Sequence, residues 1–270
     1  MEEEREPFFW MSTKRLRTPK EGDENGSGDY RDDFDRDLGR IVHSTCFRRL
    51  QGKTQVWAIG ESDYFRTRLT HSIEAAQIGR ILGKMVMKKS EKITEYSDAE
   101  KKALSSLPNL VMACCFAHDL GHPPFGHDGA EVLKRFAAEC YDKEGGETQK
   151  TFYDDNAQNI RILCKLEDGG YNCEDDGYDS RNGYDSRKGL NLTCALLDGI
   201  LKYQTRASDV SDKSGFYDEE EYIISGVKDK TGTRDKRSPI AMLVEVADDI
   251  AYVNHDLQDG MRAHLITPRI

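Results

Sequence analysis

The chain has 270 residues, enough to bury a sizeable core as one large domain or two small ones, and its 37% apolar and 33% charged residues read as soluble and highly charged. A formal net charge of −10 disfavours broad non-specific nucleic-acid binding and leaves room for local anion-binding patches. No run approaches the ~18 apolar residues of a membrane span, and MEEEREPFFWMSTKR lacks the features of a signal peptide, so a cytoplasmic location with no membrane partner is expected. Seven cysteines, odd in number and without a CxxC pair, argue against a disulfide framework or a cysteine-built zinc site.

Residues 1–34 are charged, with KEGDENGSGDYRDD rich in Gly, Asp and Glu, and are expected to be a flexible arm ahead of one domain over 35–270. From Leu38 the text turns helical, with Leu38, Ile41, Val42, Thr45 and Cys46 at three-to-four spacing. A basic cluster follows, Arg48, Arg49, Lys53, Arg66 and Arg68, which composition alone reads as solvated surface. RLTHSIEAAQIGRILGKMVMKK, 68–89, is the clearest amphipathic helix, its apolar face drawn from Leu69, Ile73, Ala76, Ile78, Ile81, Leu82 and Met85. Ser97 and Glu100 form a capping box that opens the next helix.

NLVMACCFAHDLG is apolar nearly all round and predicts a central helix, ended or bent by Gly121 and Pro123-Pro124. GAEVLKRFAAECY, NAQNIRILCKLE and LNLTCALLDGILKY are further helices. Polar excursions are expected near 166–190, where GYDSR occurs twice, and over 205–237. A long last helix begins at Pro239, a residue suited to a first turn. The fold class is all-α.

FAHDLGHPPFGH gathers His118, Asp119, His122 and His127 in twelve residues. His118 and His122 are one helical turn apart, and His127 follows the proline bend. His71 sits on the polar edge of its helix, while Asp248 and Asp249 lie in an apolar helix where an unpaired carboxylate is costly to bury. Nitrogen and oxygen ligands of this kind suit Mn, Fe, Co, Zn or Mg better than a thiolate-loving metal. Each residue also has a plain reading: a lone mid-helix histidine is usually a satisfied core or surface residue, and an Asp pair in a helix is usually solvated.

His71, then His118-Asp119, then a distant Asp in the last helix, resembles the H…HD…D signature of the HD-domain metal-dependent phosphohydrolases. FRRLQGKTQV, RTRLTHSIEAAQIGR, AHDLGHPPFGH, DNAQNIRIL, GLNLTCALLDGILKY and EVADDIAYVNHDLQD are similar, in order, to blocks of the bacterial deoxyguanosine triphosphate triphosphohydrolase family. The mammalian HD-domain deoxynucleotide triphosphohydrolase is a more distant relative. The resemblance implies an HD-domain helical fold. It also implies hydrolysis of dGTP or several dNTPs to a deoxynucleoside and tripolyphosphate.

The same resemblance assigns His71, His118, Asp119 and one of Asp248 or Asp249 to a divalent metal, Mn or Mg first and Fe, Co or Zn as alternatives. Asp248 is preferred because Tyr252 and Asp256 then fall at i+4 and i+8, where the family places its sugar contacts. Arg68 resembles the phosphate-contacting arginine, and Gln55 with Asp256 the contacts to the 3′-hydroxyl. Tyr252 would pack on the sugar and exclude a 2′-hydroxyl. His122 resembles the histidine beside the phosphate and His127 the main proton-transfer residue.

There are two departures. Many relatives carry an acid three residues after the last histidine, where this chain has Ala130, so that Glu131 or Asp128 would have to substitute or the pairing of His127 would be weakened. Family members also continue past a point like Ile270, so the domain is expected to be truncated at its C-terminus. The expected partners are a dNTP substrate, further copies in a hexamer or tetramer, and an allosteric nucleotide or single-stranded DNA. The competing expectations are another HD-superfamily phosphohydrolase and a non-catalytic HD protein that binds nucleotide or single-stranded DNA.

Overall fold

Helix α5, Leu107–Ala117, is the axis of the fold, and its all-round apolar sequence explains why. Leu107, Leu110, Val111, Ala113, Cys114, Cys115 and Ala117 are each fully enclosed, and burial of one large aliphatic side chain stabilises by about 1.5–3 kcal/mol. The computed structural model describes residues 8–16, 30–57, 63–93, 96–143, 153–168, 178–179, 184–185, 188–209 and 213–267. Around α5 pack α1 (Asp33–His43), α3 (Arg68–Ser90) and α8 (Cys194–Ile200), with α10 (Pro239–Arg262) against α3 and α8, and α9 (Glu221–Thr231) against α8. Short α2 (Thr45–Arg49) and α4 (Asp98–Ser105) join these, and α6 (Gly126–Lys143) and α7 (Asp155–Arg161) follow α5.

Local chemistry sets the boundaries. Asp32 and Asp35 form a reciprocal capping box at the start of α1, Ser97 and Glu100 one at α4, and Thr67 and Thr70 one at α3. Ser44 is extended, closes α1 and caps α2 through its hydroxyl, so the helical text from Leu38 to Cys46 is split in two. Ser238 caps α10 and Pro239 takes its first position.

Four expectations change. The apolar face read for α3 packs only in part: Ala76 is buried, and Leu69, Ile78 and Leu82 pack on the core. Its buried residues are Arg68, His71, Ser72, Ala75, Ala76, Gly79, Gly83 and Ser90, whereas Ile73, Ile81 and Met85 are about half exposed. Small side chains let the helices approach closely: a Cβ on Gly79 would stand 2.6 Å from Cys115 Sγ. The close approach brings Arg68 and His71 to the end of α5.

The expected arm is packed where it is described. Phe8 and Trp10 pack on the core and Met11 is buried. Arg15 Nη1 bonds Asp37 Oδ1 and Asn191 O, both at 2.6 Å, and Phe34 is buried in α1. The rest of the arm, 1–7 and 17–29, lies outside the described residues.

The 205–237 excursion contains α9, because Ile223, Ile224 and Val227 share one buried face inside otherwise polar text. In 166–190, the two Tyr-Asp pairs of the repeated GYDSR form an antiparallel hairpin of β1 (Tyr178–Asp179) and β2 (Tyr184–Asp185), Tyr178 opposite Asp185. Among the described residues these are the only strands, and the fold is all-α in class. Among them, too, no helix is long and apolar enough to cross a membrane.

Arg15→Ala should leave the fully buried Asp37 carboxylate without its main partner. The expected loss is about 3 kcal/mol of unfolding free energy in urea, and a loss under about 1 kcal/mol would show that Arg40 and the Thr193 amide suffice for the carboxylate.

Candidate metal centre and active site

The site begins where α5 stops. His118 is the cap residue of α5, and residues 118–121 are turns, so His118 and His122 do not share one continuous helix as their spacing suggested. The carbonyls of this turn are answered from elsewhere. Asn159 of α7 donates to Ala117 O and His118 O, both at 2.9 Å, Lys53 Nζ to Leu120 O at 3.0 Å, and Tyr153 Oη to Gly121 O at 2.8 Å. Sequence reading missed all three donors. The quoted blocks contained Asn159 and Lys53, but no spacing rule marks a residue that serves a distant carbonyl.

This turn, α3 and α10 bring the four expected metal ligands together. His71 Nε2 lies 3.0 Å from Asp248 Oδ1 and 3.7 Å from Asp119 Oδ2. His118 Nε2 lies 3.3 Å from Asp119 Oδ1 and 3.4 Å from Asp248 Oδ1. One atom each of His71, His118 and Asp248 lies close enough to the others to share one ion, and Asp119 adjoins them with a different oxygen toward each imidazole. Of the two aspartates on α10, Asp248 faces both imidazoles and Asp249, the next residue, is exposed.

The donor set fits a divalent cation. His118 Nδ1 is 2.7 Å from Cys115 O and donates its proton there, so Nε2 is the nitrogen that faces the carboxylates and that would bind an ion in exchange for its proton. That Nε2 is buried and has no hydrogen-bond partner. Burial opposes charge on His118, but Asp119 and Asp248 outweigh it and push the ring up to about 9. Burial likewise opposes ionisation of Asp119 and Asp248, yet His118 and the other imidazoles around them hold both carboxyls well below the usual range. Two imidazoles and two ionised carboxylates are the ligands of Mn, Fe, Co, Zn or Mg.

A second cluster adjoins the first. His122 Nδ1 is 3.2 Å from Asp119 Oδ1, and on its other side His122 Nε2 is 2.7 Å from Asp155 Oδ2. The His127 ring stands perpendicular to His122 with centroids 5.7 Å apart. Asp155 is the first residue of α7, whose cap Asp154 accepts from Asn156 N and Ala157 N. Burial works against its charge, but the His122 hydrogen bond holds Asp155 at about 2. Ala130 is buried, while Asp128 and Glu131 are exposed. The carboxylate set against a histidine of this cluster is therefore Asp155, which the sequence did not single out. Ligand atoms of His122, His127 and Asp155 also lie within 4.8 Å of one another.

Arg68 is buried, with Nη1 donating to Asp119 Oδ2 at 2.7 Å. Phe125 and Gly126 turn over it with φ of 68° and 58°. A Cβ at residue 126 would meet Arg68 Nη2 at 3.1 Å, so this left-handed position suits glycine on both counts. Lys53 stands nearby, its ammonium lowered from the ordinary range by burial and by Arg68. Gln55 is half-buried and its Oε1 is enclosed without a partner. Tyr252 is about half exposed on α10, and its phenol is raised by a hydrogen bond with Asp256.

The family model for the HD domain matches residues 68–151, the span that carries Arg68, His71, His118, Asp119, His122 and His127. A deoxyguanosinetriphosphate triphosphohydrolase-like protein of Streptomyces coelicolor is 39% identical over 246 residues, 87% of this chain and 48% of the relative. Proteins of the same description from Listeria monocytogenes and Pelagibacter ubique are 34% and 38% identical over 88% and 87% of this chain, and 52% and 51% of their own. The chain belongs to the HD-domain dNTP triphosphohydrolase family. It spans about half the length of the curated relatives it matches. It carries an HD domain and His and Asp groups able to hold a divalent metal.

Isothermal titration with Mn²⁺ should give one ion per chain, weakened at least a hundredfold by His118→Ala or Asp248→Ala and within threefold of normal for Asp249→Ala. A stoichiometry of two would place a second ion among His122, His127 and Asp155.

Proposed function

We propose that the chain hydrolyses deoxynucleoside triphosphates, dGTP or several dNTPs, at the α-phosphate, releasing a deoxynucleoside and intact tripolyphosphate. The observation that carries this reading is the pairing of two clusters through Asp119. Two imidazoles and two carboxylates gather on one side, and the hydrogen-bonded His122–Asp155 pair stands with His127 on the other. A water must be aimed at the α-phosphorus and a proton delivered to the departing 5′-oxygen, and two adjacent groups of these kinds divide that work.

His71, His118, Asp119 and Asp248 would hold a divalent ion, Mn²⁺ or Mg²⁺, which when bound supplies Lewis-acid polarisation of a phosphoryl oxygen. Arg68 and Lys53 carry positive charge beside the turn and bind phosphate oxygens, Arg68 through a planar fork kept in place by Asp119. His122, held by Asp155, faces the phosphate. His127, exposed at the start of α6, moves the proton to the leaving oxygen. Gln55 and Asp256 contact the 3′-hydroxyl, and Tyr252 lies along the sugar where a 2′-hydroxyl would collide.

The test is a product assay with Mn²⁺ across the four dNTPs and GTP, separating tripolyphosphate from pyrophosphate. Tripolyphosphate from dNTPs alone is expected. Pyrophosphate with a monophosphate would overturn the α-phosphate assignment, and nucleotide binding without turnover would favour a binding protein. Asp155→Asn should lower kcat about a hundredfold, within the range of acid–base contributions, while Mn²⁺ affinity stays within threefold of normal.

A further inference from the structure

His118 and His71 solve one problem in two ways. A histidine that binds a cation through Nε2 must carry its proton on Nδ1, and that N–H needs an acceptor to keep the proton there. His118 uses the Cys115 carbonyl at the end of α5. His71 lies within α3, where its backbone amide bonds Thr67 O and the neighbouring carbonyls serve the helix. It must find a side chain.

That side chain is His255. It is fully buried on α10, and its Nε2 lies 3.1 Å from His71 Nδ1, with the rings perpendicular. On the far side His255 Nδ1 lies 2.9 Å from Asp256 Oδ1. Those two atoms are not aligned as an ideal hydrogen bond, but both are buried and neither has another partner. One proton occupies the contact between the two rings. If it sat on His255 Nε2, His71 would carry its own proton on Nε2, pointed at Asp248 and Asp119. With the proton on His71 Nδ1, the proton of His255 goes to Nδ1, opposite the Asp256 carboxylate. We infer that His255 and Asp256 are positioning residues that fix the metal-binding tautomer of His71. The inference rests on the metal reading of His71, His118, Asp119 and Asp248. It also gives Asp256 a second duty, since the residue proposed to touch the sugar would steady a metal ligand through His255.

The test is Mn²⁺ affinity by isothermal titration for the wild type, His255→Leu, His255→Gln and Asp256→Asn. Glutamine can accept from His71 and donate toward Asp256, whereas leucine only fills space. His255→Leu should weaken Mn²⁺ binding 10–100-fold, the usual effect of removing an outer partner of a metal-binding histidine, with His255→Gln within about threefold of wild type. Asp256→Asn should fall between them. Equal losses for leucine and glutamine, or no loss for either, would overturn the inference. A wild type that binds no Mn²⁺ would instead overturn the metal reading. Should the leucine variant fail to fold, ¹⁵N ring shifts of the Zn²⁺-loaded wild type decide the matter. Protons on Nδ1 of both His71 and His255 are expected, and a proton on His255 Nε2 would refute the proposal.

Discussion

The end of α5 is buried, and its carbonyls have no water to turn to. A helix that stops inside a core must find donors for its last acceptors, and each buried carbonyl left without one costs about 1–3 kcal/mol. Here Asn159 of α7 answers Ala117 O and His118 Nδ1 answers Cys115 O, while Lys53 and Tyr153 serve the Leu120 and Gly121 carbonyls of the turn beyond. The turn is therefore specified by tertiary contacts and not by its own sequence. His118, Asp119 and His122 inherit their directions from it. The same turn that ends the helix presents the chemistry.

Asp119 is the electrical centre of the arrangement. One oxygen is bonded to Arg68 and the other lies near both His118 and His122, so the two clusters share a single carboxylate. A charge change on either side is felt at the other through this buried group, where screening by solvent is weak. The small-residue face of α3 makes the sharing possible. Larger residues at Ala75, Ala76 and Gly79 would hold α3 away from α5 and take Arg68 and His71 with it.

Much of this was legible in the sequence where the signal was local. Capping boxes, the apolar run of α5, Pro239 and the His118-Asp119 pair each announce themselves over a few residues. The preference for Asp248 over Asp249 came from the family resemblance, which places sugar contacts at Tyr252 and Asp256, and Asp249 is exposed. The face of α3 was read only in part, because Ile73, Ile81 and Met85 were weighted above the small residues that close helix packing selects. Helix α9 was hidden because three apolar residues suffice to bury it amid charged neighbours. Asp155 was hidden for another reason: an acid in the first turn of a helix is what the helix dipole favours anyway. His255 lay one residue from a noted aspartate, yet only the packing of α10 on α3 reveals its neighbour.

The cap of α7 reaches further than its own helix. Besides bonding Asn156 N and Ala157 N, Asp154 accepts from Ser214 N at 3.0 Å, and Tyr217 donates to Asp154 O. Residues 213–217 thus act as a foundation for the start of α7, the helix from which both Asp155 and Asn159 are aimed. Substitutions that silence the protein will for that reason scatter into a stretch with no chemistry of its own. A map of tolerated changes would outline the site's supports as sharply as the site.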